Sequence, residues 1–416
     1  MENYITHLFA KNIGFFEELN ISFNPSFNFI VGPNGSGKTS ILKCLALALA
    51  PSNSINMRYK SQSSVWFDSV FNSRKYRIGL GEGWVSNAEE YRQAQHRAWI
   101  EPPSEEGITA LAINTLEEQN INITPLILGA YRRIEYKRVE GMKRERSISE
   151  QRKFYNSSGF SNIEGGALPD VKQWMINRYF EIEKKWADVY KRNWEWIIQS
   201  LNTLSPSNCY LEFKEIKRDL EPIFKLNGVD CYLEEISAGF QAFLSLVFAI
   251  VEWIEGTNEE DNAYIPKAVG TVIIDELDVH LHPEWQLAIR QSLATVFPKL
   301  QFILTTHSPH LIASAASGEL IILPELNRRV DVSPTDQTYS GWNTDQILED
   351  VMGVRSLENK LYITLLNEAI NNIEKRDVFS LEKAIEKIRE VVHPSNTILQ
   401  VLQMKLAGLE LGNEDD

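Results

Sequence analysis

Residues 32–39, with the sequence GPNGSGKT, have the residue types and spacing of a phosphate-binding loop. Glycines in such a loop let backbone N–H groups turn toward an anion, and the N-terminus of the following helix adds partial positive charge. Lys38 can reach the β- and γ-phosphates of a nucleotide, and Thr39 offers a hydroxyl to Mg²⁺. The segment therefore predicts a site for a nucleoside triphosphate.

The flanking residues supply the elements that must position this loop. An apolar run at 27–31 precedes it, and an apolar-periodic segment at 41–50 follows and stops at Pro51. The pattern is strand, loop, helix. A chance glycine-rich turn would not have this context, so we expect an α/β fold.

Two carboxylates follow a second apolar strand, at residues 269–274. Asp275 and Glu276 suit a metal-and-base pair, in which one carboxylate orients Mg²⁺ and the other polarises the attacking water. A solvated acidic turn is the alternative, and it fits poorly after so apolar a strand. His307 follows a further strand, 302–304, at the carboxyl edge of the expected parallel sheet, where ligands bind.

A second helix start lies at Ser237, ahead of an apolar helix over 242–254. Gly239 would allow close backbone approach, and a helix N-terminus can hold phosphate. On these residues alone, an ordinary capped helix is the simpler interpretation. His280 and His282 alternate on a loop without a nearby cysteine, which favours a structural role over a metal site.

Length and composition limit the class of protein. The 416 residues are 43% hydrophobic and 24% charged, which is typical of a soluble globular protein with one large core and an accessory region. No apolar run approaches the roughly 18 residues of a membrane span, and the N-terminus is not a signal peptide, so we expect a cytoplasmic protein. Cys44, Cys209 and Cys231 are isolated, and neither a disulfide framework nor zinc spacing is present.

A basic run at 132–146 stands out against the net charge of −14. It contains seven Lys or Arg and three Glu residues, for a local charge of +4. The run is either a contact for phosphates or for a partner, or a solvated loop, and both interpretations stay open. The overall negative charge argues against coating of nucleic acid by the whole surface.

The rest of the chain is largely helical. Residues 169–201 predict one long helix with Ile182, Trp186 and Tyr190 in an apolar stripe, which favours a core or oligomer contact over a base-stacking platform. Helices are also expected at 343–351, 357–373, 381–392 and 398–409. We expect a head over 1–325 with a basic, helical insertion at 141–208, and a mainly helical C-terminal region at 326–416.

Five motifs occur in one order: GPNGSGKT at 32–39, ISAGFQ at 236–241, VIIDE at 272–276, Asp278, and TTHSP at 305–309. This order resembles the ATP-binding-cassette class of ATPases, in the branch with SMC-type heads, RecF and OLD-type proteins. The resemblance implies a P-loop NTPase fold with an ABC-type head, in which a mixed sheet is flanked by helices. It also implies a dimer that closes head to tail around ATP.

The resemblance assigns roles to individual residues. Glu276 would be the general base and His307 the γ-phosphate sensor, while Thr39 and Asp275 would hold Mg²⁺. The remaining nucleotide-binding positions are Gly32, Pro33, Asn34, Gly35, Ser36, Gly37, Lys38, Ser40, Ser237, Gly239, Gln241 and Asp278. Ser237 and Gly239 would contact ATP bound to the opposite subunit, and Asp278 would lie at the dimer interface. Two features depart from the family: no glutamine stands near Tyr131-Arg132 to complete the magnesium shell, and Ile236 replaces leucine.

The lengths of the insertion and of the C-terminal region limit which kind of ATPase within this class the sequence can encode. An insertion of about seventy residues is too short for an SMC coiled coil at about 1.5 Å per residue, and the C-terminal region is too short for a TOPRIM nuclease. The runs DELDVHLHPEWQ and TTHSPH are similar to compact ATPases of Septu and retron defence systems.

That similarity implies a slow, regulatory ATPase subunit of an anti-phage complex, with a separately encoded effector such as an HNH or TOPRIM nuclease. The alternatives are a RecF- or SMC-like DNA-binding ATPase of DNA repair, and a scaffold that binds ATP but barely hydrolyses it. In the anti-phage complex or in the DNA-repair ATPase, the run 132–146 could contact nucleic acid.

Overall fold

The computed structural model describes residues 2–50, 57–86, 96–119, 121–132, 136–166, 170–205, 209–325, 327–354, 360–392 and 397–413. The chain divides into two compact units, Met1–Gly353 and Val354–Asp416. Residues 326–353, which the sequence pattern grouped with the C-terminal region, thus belong to the first unit, where strand Arg329–Val332 pairs with Phe16–Ser22.

The strands of the described residues are β1 Asn3–Ile13, β2 Phe16–Ser22, β3 Phe27–Val31, β4 Tyr59–Phe71, β5 Arg74–Leu80, β6 Val85–Ser86, β7 His96–Arg97, β8 Ile108–Leu111, β9 Leu126–Leu128, β10 Leu211–Ile216, β11 Pro222–Leu226, β12 Val229–Tyr232, β13 Gly270–Ile274, β14 Leu300–Thr305, β15 Leu320–Ile322 and β16 Arg329–Val332.

The helices of the described residues are α1 Lys38–Leu49, α2 Ile113–Glu118, α3 Ile148–Ile163, α4 Val171–Glu181, α5 Asp188–Leu204, α6 Ala238–Thr257, α7 Pro283–Val296, α8 Pro309–Ser314, α9 Thr344–Gln346, α10 Lys360–Glu374, α11 Val378–Val391 and α12 Thr397–Asn413. Two 3₁₀ turns, Glu260–Ala263 and Ile265–Lys267, follow α6, and a π-helical turn, Ile347–Val351, follows α9.

A parallel five-stranded sheet carries the strands that the motifs follow. Its order is β15-β3-β14-β13-β9, with Gly270 of β13 opposite Leu300 of β14. All five residues of β3 and all five of β13 are buried, as expected for parallel strands covered on both faces. Because parallel strands end at the same edge, the segments after β3, β13 and β14 meet there.

A second, mixed sheet has the order β16-β2-β1-β4-β5-β8. Helix α1 packs in the same hydrophobic core as both sheets, since this core combines Leu8 and Phe67 of the mixed sheet, Leu45 of α1, and Ile273 and Ile303 of the parallel sheet. The phosphate-binding loop therefore begins a helix that is buried on several sides. A rigid mount of this kind fixes the direction of the loop's N–H groups.

The insertion contains α3, α4 and α5, and the antiparallel strands β10, β11 and β12 follow it. The prediction of one continuous helix at 169–201 was wrong, because α4 ends at Glu181 and α5 begins at Asp188. Trp174 and Trp194 stack with ring centroids 6.0 Å apart, whereas 20 residues of continuous helix would separate them by about 30 Å. Tertiary packing thus overrides the local periodicity, and Trp186 is 67% exposed.

Helix α6 corrects the expectation that no segment has the length and composition of a membrane span. Among the described residues, this 20-residue helix meets both criteria with a mean hydropathy of 1.5. However, 83% of its apolar window is buried inside the protein. Trp253 of α6 packs against Gly270 and donates through its indole N–H to Thr124 O at 3.0 Å. The helix is therefore a core element that supports β13.

The second unit contains α10, α11 and α12. Ala369, Leu381, Ile385, Ile388 and Leu402 form its core. The apolar spacing of the sequence predicted these three helices, and their observed bounds differ from the prediction by a few residues, as is usual at helix ends.

The side chain of Gln301 on β14 ties the two sheets together. Its amide accepts from Ile5 N at 2.8 Å and from Thr271 Oγ1 at 2.7 Å, and donates to Ile5 O and to Asn24 O, each at 2.7 Å. The residue is fully buried, so all four bonds are made without competition from water.

We predict that Gln301→Leu lowers the free energy of unfolding by about 3 kcal/mol, because it leaves buried backbone groups of Ile5 unpaired at about 1–3 kcal/mol each. Equilibrium urea unfolding measures the change. The matched control is Gln291→Leu on the exposed face of α7, which should stay within about 0.5 kcal/mol of the parent. Equal stability of the two variants would contradict the role of Gln301.

Candidate functional site

The phosphate-binding loop is held in shape by its own lysine and by close backbone packing. Gly37 caps α1 with φ of 96°, and a Cβ on Gly37 would lie 2.6 Å from Cζ of Phe16. Lys38 Nζ donates to Gly32 O at 2.8 Å and to Pro33 O at 3.0 Å. The ammonium group of Lys38 therefore lies inside the loop. To bind a phosphate it would have to leave these two carbonyls.

A pocket of about 290 Å³ opens over the loop, and we call it the loop pocket. It is lined by Phe15, Asn34, Gly35, Gly37, Lys38, Thr39, Ser40 and His307. His307 comes from the end of β14, so the structure brings it to the loop as the sequence predicted. The sequence did not single out Phe15, an aromatic residue in the turn between β1 and β2 that gives the pocket an apolar wall.

The carboxylate of Asp275 accepts hydrogen bonds from two threonines and so connects the phosphate-binding loop to β14. Thr39 Oγ1 donates to it, at 3.0 Å from Oδ2, and Thr305 Oγ1 donates to Oδ1 at 2.6 Å. Thr305 also accepts from Glu276 N at 2.7 Å. One threonine thus aligns both acidic residues. Its sequence position, directly after an apolar strand and ahead of His307, was the only signal for this role.

Glu276 occupies a strained backbone position, with φ of 49°, which is unusual for a residue with a side chain. Arg132 holds the turn, because it donates to Asp275 O at 3.0 Å and to Glu276 O at 2.6 Å, besides Gly129 O at 3.1 Å. The sequence counted Arg132 in a basic run that was open to either a phosphate or partner contact or a solvated loop. Arg132 itself fits neither interpretation, since it is only 2% exposed and its guanidinium donates to backbone carbonyls. Arg133 lies outside the described residues.

Asp278 fixes the segment that carries His307. Its Oδ1 accepts from Thr306 Oγ1 at 2.6 Å and from His307 N at 3.1 Å. Ser308 caps α8 and donates through Oγ to Gln286 Oε1 at 2.6 Å. The backbone around His307 is therefore held by hydrogen bonds to Asp278 in the loop before α7 and to Gln286 of α7.

The site is a buried cluster of opposite charges. Burial lowers the pKa of Lys38, while Glu276, Asp275 and Asp278 act to raise it. Burial, aided by the charge of Lys38, lowers the pKa of His307 below its ordinary value, so its ring is neutral at pH 7. Burial likewise lowers the pKa of Arg132 to about 10, which still leaves it charged.

Ser237 and Gly239 lie at the start of α6. Ser237 is exposed and its side chain makes no capping hydrogen bond, so its hydroxyl is not used by its own helix. A Cβ on Gly239 would lie 2.6 Å from His280 O, which leaves glycine as the residue that fits. His280 has φ of 67°, and its carbonyl forms this contact.

Gln241 has a different environment from the other predicted nucleotide-binding residues. Its side chain is buried and its Nε2 donates to Glu234 O at 3.0 Å and to Ile236 O at 2.8 Å. It therefore shapes the loop ahead of α6 from inside. His282, for which a structural role was expected, precedes α7 as its N-cap residue.

Family comparison agrees with this geometry. A model described as AAA domain matches residues 7–226, which is more than half of the chain, and a model described as AAA ATPase domain matches residues 166–312. The chain belongs to the AAA domain family. Its predicted fold class is confirmed: this AAA protein has a P-loop ATPase head with mixed and parallel sheets flanked by helices, and further helices at the C-terminus.

Individual similar proteins have low to moderate sequence identity to this chain. Septu protein PtuA from Bacillus thuringiensis is 27% identical over 414 residues, which cover 97% of this AAA protein and 98% of that protein. Retron Vc95 probable ATPase from Vibrio cholerae is 36% identical over 114 residues, 27% of this chain and 22% of that protein. The SMC head domain from Thermotoga maritima aligns with 81% of this chain and 100% of that chain, at 14% identity and a TM-score of 0.44.

We predict that Arg132→Ala lowers ATP turnover by about 10- to 100-fold, because an acidic pair displaced by about 1 Å loses its alignment. Affinity for ATP should change little, since Arg132 does not line the loop pocket. Steady-state phosphate release and nucleotide titration measure the two quantities. Arg138→Ala, an exposed member of the same basic run, is the matched control and should keep parental turnover. Full turnover in Arg132→Ala would rule out the clamp.

Proposed function

We propose that this AAA protein is the ATP-hydrolysing subunit of a cytoplasmic anti-phage defence complex, which dimerises head to tail around ATP and regulates a separately encoded effector. ATP hydrolysis is supported by a hydrogen-bonded group of side chains and backbone beside the loop pocket: Thr39, Asp275, Thr305 and Glu276. Similarity to Septu protein PtuA over nearly the whole of both chains supports the biological part.

Each residue has a chemical task in hydrolysis. Backbone N–H groups of the loop and Lys38 would bind the phosphates and stabilise the charge that develops on them. Glu276 would hold the attacking water and accept its proton. His307, neutral and on the wall of the loop pocket, would donate a hydrogen bond to the terminal phosphate. Phe15 would pack against the apolar part of the nucleotide.

The donor set at Asp275 fits Mg²⁺. A threonine hydroxyl and a carboxylate are hard oxygen ligands, and one or two such groups with nucleotide phosphates are the usual way in which proteins hold this ion. Thr39 and Asp275 already lie at hydrogen-bonding distance. When bound, Mg²⁺ would neutralise phosphate charge and act as a Lewis acid.

The start of α6 supports the dimer. Ser237 is exposed, its hydroxyl has no partner within the helix cap, and Gly239 is partly exposed beside it. A helix N-terminus of this kind can bind a phosphate that comes from outside the subunit. Two copies related by a two-fold axis would each offer this surface to the nucleotide of the other.

We predict that Glu276→Gln lowers ATP turnover by at least about 100-fold, since general-base catalysis contributes typically 10²–10⁴-fold, and that it accumulates as an ATP-bound dimer. Light scattering after size exclusion, with and without ATP and Mg²⁺, measures the mass. Adding Ser237→Arg should keep Glu276→Gln monomeric with unchanged ATP affinity. Ser149→Arg, at an exposed serine in the first turn of α3, is the matched control and should leave the dimer intact.

Parental turnover in Glu276→Gln would exclude Glu276 as the base. A dimer that survives Ser237→Arg would exclude the composite site. The defence role has its own test: the protein, expressed with its neighbouring reading frames, should protect cells from phage and copurify with an effector, and both properties should depend on Lys38.

A DNA-binding ATPase of repair is the second candidate, and exposed Lys143, Arg144 and Arg146 favour it. Under this alternative, affinity for duplex ends should fall steeply between 50 and 200 mM salt, and Arg144→Ala should flatten the slope. Arg132→Ala should not alter that slope, because its guanidinium is buried.

A further inference from the structure

A second polar cavity of about 290 Å³ lies between the insertion and α6, and we call it the insertion cavity. Its walls come from the segment before α3, from α3 and α4, and from the last turns of α6. It shares none of its lining residues with the loop pocket. The proposed ATP hydrolysis gives this cavity no task, and only the DNA-binding alternative uses the basic residues around it.

Gln151 Oε1, Gln173 Oε1 and Glu252 Oε2 belong to lining residues and have no hydrogen-bond partner among the described residues. A fourth such atom, Asp170 Oδ2, lies in an ion pair with Lys137 Nζ at 2.8 Å. Gln151 and Gln173 are each only 8% exposed. Native proteins rarely leave several buried polar atoms without a partner in one place. Their convergence on one cavity points to a ligand that brings hydrogen-bond donors.

The orientation of Gln173 is fixed by its neighbours. Its Nε2 donates to Gly141 O at 2.9 Å and to Asn177 Oδ1 at 3.0 Å. Asn177 is itself oriented, because its Oδ1 accepts from Lys143 N at 3.0 Å and its Nδ2 donates to Lys143 O at 2.9 Å. Turning the Gln173 amide over would oppose two acceptors, so its free atom is the carbonyl oxygen.

No residue that the structure describes donates a hydrogen bond to Oε2 of Glu252. The nearby Arg178 already binds Glu145 at 2.9 Å, Glu181 at 2.6 Å and Glu255 at 2.7 Å. Burial, with the charge of Glu145, raises the pKa of Glu252 to about 7, and Glu255 and Asp170 act in the same direction against Arg178. The Tyr155 hydroxyl also faces this group. A donor from a ligand would stabilise the charged carboxylate.

Positive charge lies at the mouth of the cavity. Lys143, Arg144 and Arg146 are exposed and line it, and the Arg146 guanidinium lies 4.2 Å from the Phe154 ring centroid. A simple cation would be repelled at this mouth, and a simple anion would meet acceptors inside. The complementary ligand has N–H donors at one end and negative charge at the other.

We propose that the insertion cavity binds one nucleotide, with the base on the acceptor side and the phosphate at Lys143, Arg144 and Arg146. Guanine fits best, because its adjacent ring N–H and amino group match a carboxylate, and base edges are read in this way in nucleotide pockets. Trp174, which is buried and stacked on Trp194, forms part of the apolar wall of the cavity. The volume is at the lower end for ligand pockets, which suits a single nucleotide.

The test is binding of GMP to the full-length protein by isothermal titration calorimetry. GMP lacks the phosphates that the loop lysine would reach, so Lys38→Ala should bind it like the parent. The isosteric change Glu252→Gln should weaken GMP by at least about tenfold, in keeping with one lost bidentate pair. Arg144→Ala should weaken it and reduce its salt dependence, whereas Arg138→Ala, outside the cavity, should do neither.

If Glu252→Gln fails to fold, three comparisons on the parent protein still test the proposal. The parent should prefer GMP to UMP, which offers one N–H donor where guanine offers more. Guanosine, which has no phosphate to ionise in this range, should bind more tightly at pH 8 than at pH 6, as Glu252 ionises. A guanine-containing single-stranded hexanucleotide that binds at least tenfold tighter than GMP would identify nucleic acid as the source, and equal affinity would identify the free nucleotide.

Failure of both GMP and the hexanucleotide to bind at millimolar concentration would overturn the proposal. So would binding that Lys38→Ala abolishes, because the ligand would then occupy the loop pocket. Neither result would affect the proposed hydrolysis of ATP, whose test is turnover in Glu276→Gln.

Discussion

The carboxylate of Asp275 is the constraint on which the site depends. It joins Thr39 of α1 to Thr305 of β14 through two hydrogen bonds. Those bonds form only if β13 and β14 are parallel and in their observed register, because a slip of one residue would turn Asp275 to the opposite face of the sheet. The packing of both sheets around α1 therefore serves to place one carboxylate beside one hydroxyl.

Arg132 explains how the turn at Glu276 is kept. Strand β9 pairs with β13, and Ile274 lies opposite Leu128, so the chain after β9 passes directly over the carbonyls of Asp275 and Glu276. The ATPases that this sequence resembles have a glutamine in this region. In this protein the buried guanidinium of Arg132 lies there instead, and its hydrogen bonds stabilise the strained backbone of Glu276. The departure seen in the sequence thus has a structural counterpart.

Local motifs predicted most of the site, because the carboxyl ends of parallel strands must meet at one edge. The motifs predicted that Lys38, Asp275, Glu276 and His307 would lie together, and the structure places them near one another, while their roles stay predictions. What failed depended on distant packing. Charge counting could not reveal that Arg132 is buried, and helical periodicity could not reveal that stacking of Trp174 on Trp194 divides a predicted helix. The roles of Phe15 and Gln241 also depend on which segments lie next to them in space.

Helix α6 relates the two polar regions of the first unit. It begins at Ser237 and Gly239 and carries Glu252 and Glu255 in its last turns, so its ends are about 30 Å apart. Most of it is buried, and a close-packed helix cannot bend to absorb a local displacement. A ligand at either end could therefore influence the other only by shifting α6 as a rigid body against β13. Any such coupling would have to move Trp253 from its contact with Gly270 of β13.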